Sequence, residues 1–129
     1  MKQSGDLSVE ELYQMADELC QKWWGIQYDG TLSLVNRRWK RVVAYFMPVK
    51  LEENGEWSGC ICFSSKRNKE RTKSEVRSAL LHELVHWYLW KQGKPYMDDT
   101  QEFVKECWRV GAPFSVTKSA QRAMRLYKT

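Results

Sequence analysis

Between Thr72 and Gly93 lies a segment that is apolar in almost every direction yet carries three ionisable groups at its centre. Thr72 with Glu75 three residues on forms a capping box that opens a helix. Val76, Ala79, Leu80, Leu81, Leu84, Val85, Trp87, Leu89 and Trp90 then surround the helix axis, so neighbouring elements must cover it on nearly all sides. Gly93 and Pro95 stop it. The interruptions are His82, Glu83 and His86, in the pattern H-E-x-x-H, and they include both histidines of the chain.

Ionisable groups on a buried helix are costly unless something compensates them. A spacing of four residues stacks two imidazoles on one helical face, close enough to share a metal ion, with the intervening Glu beside them. The expectation is therefore zinc, with His82 and His86 as neutral ligands and Glu83 as a general base that takes a proton from water. Hydrolysis of peptide bonds is the leading activity for such a site.

A catalytic zinc needs a third protein ligand, and no histidine remains to provide it. Asp98, Asp99, Glu102, Glu106 and Cys107 all follow the Gly93 turn and can fold back toward His86. A carboxylate from the Asp98/Asp99 pair is preferred, without a choice between them. In a competing reading Asp99, with Glu102 three residues on, only caps the next helix. Glu102 or Glu106 would give a glutamate-ligand scheme instead. Tyr96 and Arg109 are candidates for stabilising the oxyanion.

With 129 residues the chain is expected to be a single domain, too small for a two-lobed protease with an enclosed cleft. The first residues lack the apolar core of an export signal, and no stretch reaches the roughly 20 apolar residues of a membrane span. A soluble, cytoplasmic protein is expected, with Cys20, Cys60, Cys62 and Cys107 as thiols. Cys60 and Cys62 share one face of a strand, where buried packing is the simpler role than metal ligation. Basic residues outnumber acidic ones by 21 to 16 and cluster at Arg37-Arg38-Trp39-Lys40-Arg41, at Lys66-Arg67-Asn68-Lys69 and at Lys118, Arg122, Arg125 and Lys128. Such clusters are commonly solvated surface, but they also suit a phosphate backbone, with Trp39 able to stack on an unpaired base.

The remaining elements follow from local signals. Ser8 and Glu11 form another capping box, and Leu12, Met15, Ala16, Leu19 and Trp23 recur at helical spacing until Gly25. Strands are expected at Thr31 to Val35, Val42 to Val49 and Trp57 to Phe63, joined at Asn54-Gly55 by a two-residue type I′ hairpin. Pro48 makes its strand an edge or breaks it. Cys60 to Ser64 is a candidate edge for pairing with an extended substrate, or else sheet interior. A short loop, Lys94 to Asp98, is expected to lead to a helix with Phe103, Cys107 and Val110 on one face, ended by Gly111 and Pro113, and a further helix over the basic tail from Thr117 to Lys128. The fold class is α+β: a small, mostly antiparallel three-stranded sheet packed on the H-E-x-x-H helix, with flanking N- and C-terminal helices.

Several of these segments together resemble the SprT-like metalloprotease domain, the zincin family that includes the Spartan proteases. The resembling residues are Asn36-Arg37-Arg38-Trp39-Lys40-Arg41-Val42-Val43-Ala44, Gly59-Cys60-Ile61-Cys62-Phe63-Ser64 and Leu80-Leu81-His82-Glu83-Leu84-Val85-His86. Where the family continues with H-G-x-E-F, this chain reads Asp98-Asp99-Thr100-Gln101-Glu102-Phe103. Counting back from Glu102-Phe103 puts Asp99 at the family's third-ligand position, and a shift of one residue gives Asp98. The resemblance implies a zinc-dependent endopeptidase acting on protein or peptide substrates, with DNA as an associated partner. The family's C-terminal zinc ribbon has no counterpart in the four cysteines. An alternative from another class is a non-catalytic nucleic-acid-binding or adaptor domain that keeps zinc for structure, although Glu83 would then have no purpose.

Overall fold

The computed structural model describes residues 3–39, 42–115 and 117–127. Helix α1, Val9–Trp24, starts where Ser8 and Glu11 cap each other reciprocally, and it ends at Gly25 in the left-handed conformation. Its buried stripe is Leu12, Met15, Ala16, Leu19 and Cys20. Three strands follow: β1, Thr31–Val35; β2, Ala44–Lys50; and β3, Trp57–Ser64. Then come α2, Ser65–Lys69; α3, Lys73–Lys91; α4, Gln101–Val110; and α5, Lys118–Leu126.

The sheet order is β1-β3-β2, with β3 antiparallel to β2 and parallel to β1. The sheet is thus mixed, and β3 is its centre rather than a free edge for substrate. Its sequence accounts for this: Ile61 and Phe63 are fully buried beneath the helices, and Cys62 is buried on the other face. The β2–β3 hairpin also departs from a two-residue turn. Leu51 and Glu56 still pair, the Leu51 N–H donating to the Glu56 carbonyl at 2.7 Å, and Gly55 closes a four-residue loop by donating to the Leu51 carbonyl. The positive φ expected at this dipeptide is found at Gly55.

That pairing decides which way the main chain of β2 points. Ser64 donates to the Val43 carbonyl at 3.0 Å and Leu51 to that of Glu56, so odd-numbered residues bond to β3. Ala44, Phe46 and Pro48 therefore turn their main-chain groups to the free edge. Pro48, lacking an N–H, sits on an edge strand where β3 needs no donor from it.

Serine 64 caps α2, a single short helix within the basic stretch that carries no sequence periodicity of its own. The chain reverses there, and α3 runs back across the sheet from its Thr72–Glu75 capping box. Gly59 lets it approach: a Cβ at that position would lie 2.8 Å from Trp87 and 2.9 Å from Phe46. As its sequence requires, α3 is buried from Val76 through Leu89 on most sides, between the sheet, α1 and α4. Full burial of Trp87, Phe63, Phe103 and the leucines contributes roughly 1.5–3 kcal/mol per side chain. Among the described residues no helix is long and apolar enough to cross a membrane.

The N-cap of α4 is Thr100, whose side chain accepts from Phe103 N–H, so Asp99 does not cap this helix. Gly111 ends α4 in the left-handed conformation, and Thr117 caps the basic α5. Of the expected basic clusters, Lys40, Arg41 and Lys128 lie outside the described residues. Arg38 pairs with Glu70, and Arg67 donates to the Trp39 carbonyl, so part of this charge secures the 36–39 segment against α2.

Candidate metal centre

His82 and His86 emerge one helical turn apart from α3, with ring centroids 5.0 Å apart. Each ring has one nitrogen directed at a main-chain carbonyl: His82 Nδ1 lies 2.6 Å from the Pro113 oxygen, and His86 Nδ1 is bonded to the Tyr96 oxygen. A carbonyl can only accept, so both Nδ1 atoms carry the proton in the neutral rings and both Nε2 atoms present lone pairs. These two lone pairs converge on Asp98, whose Oδ1 is 2.8 Å from His86 Nε2 and 3.4 Å from His82 Nε2.

Asp98 Oδ1 is buried without a properly oriented hydrogen-bond donor. Three acceptor atoms, one from each residue, thus lie within 4.8 Å of one another. Tetrahedral zinc with bonds of about 2.0–2.2 Å separates its ligand atoms by about 3.3 Å, so the three positions fit such an ion after small adjustments. The residues present could hold a metal.

Without a metal the four groups perturb one another. Burial works against a charged His82, but Asp98, Glu83 and the Pro113 carbonyl outweigh it and raise its basicity. Although burial opposes ionisation of Asp98, the two imidazoles hold its carboxyl well below the usual carboxylate range. Burial pushes Glu83 up, against the pull of both histidines and with a further push from Asp98. Its carboxylate stands 4.0 Å from His82 Nε2, beside the three converging atoms and outside their group.

Aromatic rings fix the imidazoles in rotation. Phe103 of α4 stacks on His86 at 4.1 Å and meets His82 edge-on at 5.1 Å, while Phe46 of β2 lies parallel to His86 at 6.3 Å. The centre opens into a cleft of about 950 Å³ between Val42 to Phe46, α3, Pro113 to Ser115, Thr117 and Ser119.

The structure brings together His82, Glu83, His86 and Asp98, and it leaves Asp99 exposed and outside the three-ligand group. Glu102 is exposed on α4. Glu106 turns toward α1, accepting from Trp24 Nε1 at 2.6 Å and from Arg109. Cys107 is buried, and its surroundings push the thiol up, chiefly through desolvation and then through Asp98, which disfavours a thiolate ligand. Of the two suggested oxyanion residues, Tyr96 lines the cleft and Arg109 does not. Arg109 is held by Glu106 and the Trp23 carbonyl away from the cleft, and the Tyr96 ring packs against Phe46 while its carbonyl serves His86.

Sequence reasoning missed the two carbonyls, Tyr96 and Pro113, and the ring contacts of Phe46 and Phe103. Any residue offers a carbonyl, so no side-chain pattern marks the first two. Phe103 carried a signal, since it stood on the apolar face of its helix, but nothing showed that this face meets the histidines. Comparison with protein-family models, with curated proteins and with solved structures finds no match to this chain.

Proposed function

We propose that this chain is a zinc-dependent endopeptidase of the SprT-like kind, with His82, His86 and Asp98 holding the metal and Glu83 as general base. The observation that carries this reading is the convergence of three lone-pair donors in a cleft, beside a fourth group, the buried carboxylate of Glu83, that is not one of them. A purely structural site has no use for that carboxylate. When bound, zinc would lower the pKa of a water molecule and stabilise negative charge on a substrate carbonyl.

The chain's own groups do the rest. Tyr96 and Pro113 hold the two imidazoles in the tautomer that leaves Nε2 free. Glu83, with its pKa raised by burial, accepts a proton from water as the water oxygen joins the carbonyl carbon. It delivers that proton to the nitrogen as the C–N bond breaks, so one water is consumed per bond cut. DNA association through Arg37, Lys66 and Lys69, all exposed, and a cytoplasmic setting belong to the same proposal.

The test combines metal content per chain with cleavage of an unfolded protein, with and without single-stranded DNA, for the wild type and Glu83→Gln. About one zinc in each, with cutting by the wild type alone, supports the enzyme. Equal DNA binding with no cutting by either form would favour the adaptor reading.

A further inference from the structure

The cleft is closed at one end. Along α3 it is lined from the Arg71 end through Ser78 and His82 to His86, and along the edge strand from Val42 to Phe46. Beyond His86, aromatic side chains fill the space: Phe46 lies 5.8 Å from Trp90 and 5.9 Å from Tyr96, and the segment carrying Tyr96 and Asp98 passes over this end. The free edge of β2 stops at the same level. Ala44 and Phe46 present both an N–H and a carbonyl outward, whereas Pro48, next in that series, has no N–H to give. The candidate ligands therefore sit at the blind end of a groove. Its open arm runs from His82 back to the start of α3 at Lys73, nine helical steps or about 14 Å, which is about four residues of extended chain.

Charge gives the groove a direction. Asp99 lines the ligand end, where Asp98 is taken up with the two imidazoles, and at the far end of the open arm Arg71 is offset by Glu75 beside it. An extended peptide pairs more stably with an edge strand in antiparallel register, and antiparallel to β2 its amino end comes to the closed end. Both the charges and the strand direction thus favour the same orientation.

Resting on the peptidase reading above, the geometry points to a substrate that enters with its amino terminus at the closed end, so that cuts fall within about three residues of a free α-amino group. Asp99, exposed in the cleft lining next to Asp98 and bordered on its other side by Lys118 and Arg122, is the carboxylate left to pair with the ammonium. This narrows a general endopeptidase to one that trims flexible chains from their amino-terminal side.

The experiment uses the zinc-loaded full chain and an unstructured peptide of about 20 residues, supplied with a free or an acetylated amino terminus, with cut positions read by mass spectrometry. Cuts near the amino end, slowed about tenfold or more by acetylation, are the expected result. Tyr96→Ala removes the ring from the closed end while retaining the carbonyl on His86, and it should move cuts further into the peptide. Cuts spread through the interior or gathered at the carboxyl end, at equal rates for the two peptides, overturn the proposed polarity and leave the peptidase reading standing. Unchanged cut positions in Tyr96→Ala overturn the closed end as their cause. No cutting of either peptide overturns both readings together.

Discussion

The two halves of the candidate metal centre are built in different ways. His82, Glu83 and His86 are fixed by α3, whose start, burial and spacing are local properties of one continuous segment. Asp98 and the carbonyls of Tyr96 and Pro113 come from the connections before and after α4, and their positions depend on how α4 packs against α3. A helix sets the spacing of its ligands by its own geometry. The connections set theirs only through tertiary contacts, with Phe103 as the contact common to both imidazoles.

This contrast predicts unequal consequences of mutation. The largest loss should follow His86→Ala, which removes a ligand from the rigid half. Zinc should no longer be retained, and peptide hydrolysis should fall by more than the roughly 10–100-fold that loss of a ligand's outer partner costs. Retention of zinc by that variant, measured by elemental analysis, would break the assignment of α3 as the metal's main support.

Phe103→Ala sharpens the comparison from the other side. Removing a fully buried aromatic ring should cost about 3–5 kcal/mol in chemical denaturation. If Phe103 couples α4 to the imidazoles, zinc affinity should fall as well, whereas a pure packing role would lower stability and leave affinity intact.

The pH dependence of stability should reverse sign with metal. Without zinc, the raised His82 contributes stability that is complete below its unfolded pKa and is lost as pH rises through its folded value, above the ordinary 6.5. With zinc present, binding requires neutral imidazoles, so stability should instead increase as pH rises over that range. Thermal melts at several pH values, with chelator and with zinc, measure both slopes, and slopes of one sign would contradict the shared site.

The smallest effect expected is at the start of α3. Thr72→Ala removes the hydroxyl oxygen that accepts from Glu75 N–H and should cost about 1 kcal/mol of stability without altering zinc content.

The same contrast explains what was legible beforehand. Capping boxes at Ser8 and Thr72, the stops at Gly25 and Gly111, and the buried α3 all depend on residues within a few positions of each other, and their patterns survive in the folded chain. The sheet was less legible, because Ile61 and Phe63 mark β3 as apolar but do not say that β1 pairs with it in parallel. For the third ligand, Asp98 and Asp99 are chemically identical neighbours. The structure brings Asp98 to the imidazoles because the chain turns at Met97, whose carbonyl accepts from Thr100, and Thr100 then caps α4, leaving Asp99 turned to solvent. No periodicity encodes that turn, and the resemblance count pointed one residue later.

The most direct measurement is zinc K-edge absorption spectroscopy on the metal-loaded wild type beside Asp98→Asn and Asp99→Asn. Two imidazole nitrogens and a carboxylate oxygen at about 2.0–2.2 Å in the wild type, weakened zinc binding in Asp98→Asn, and an unaltered spectrum and affinity in Asp99→Asn are predicted. A sulfur neighbour near 2.3 Å, or wild-type affinity in Asp98→Asn, would contradict the account.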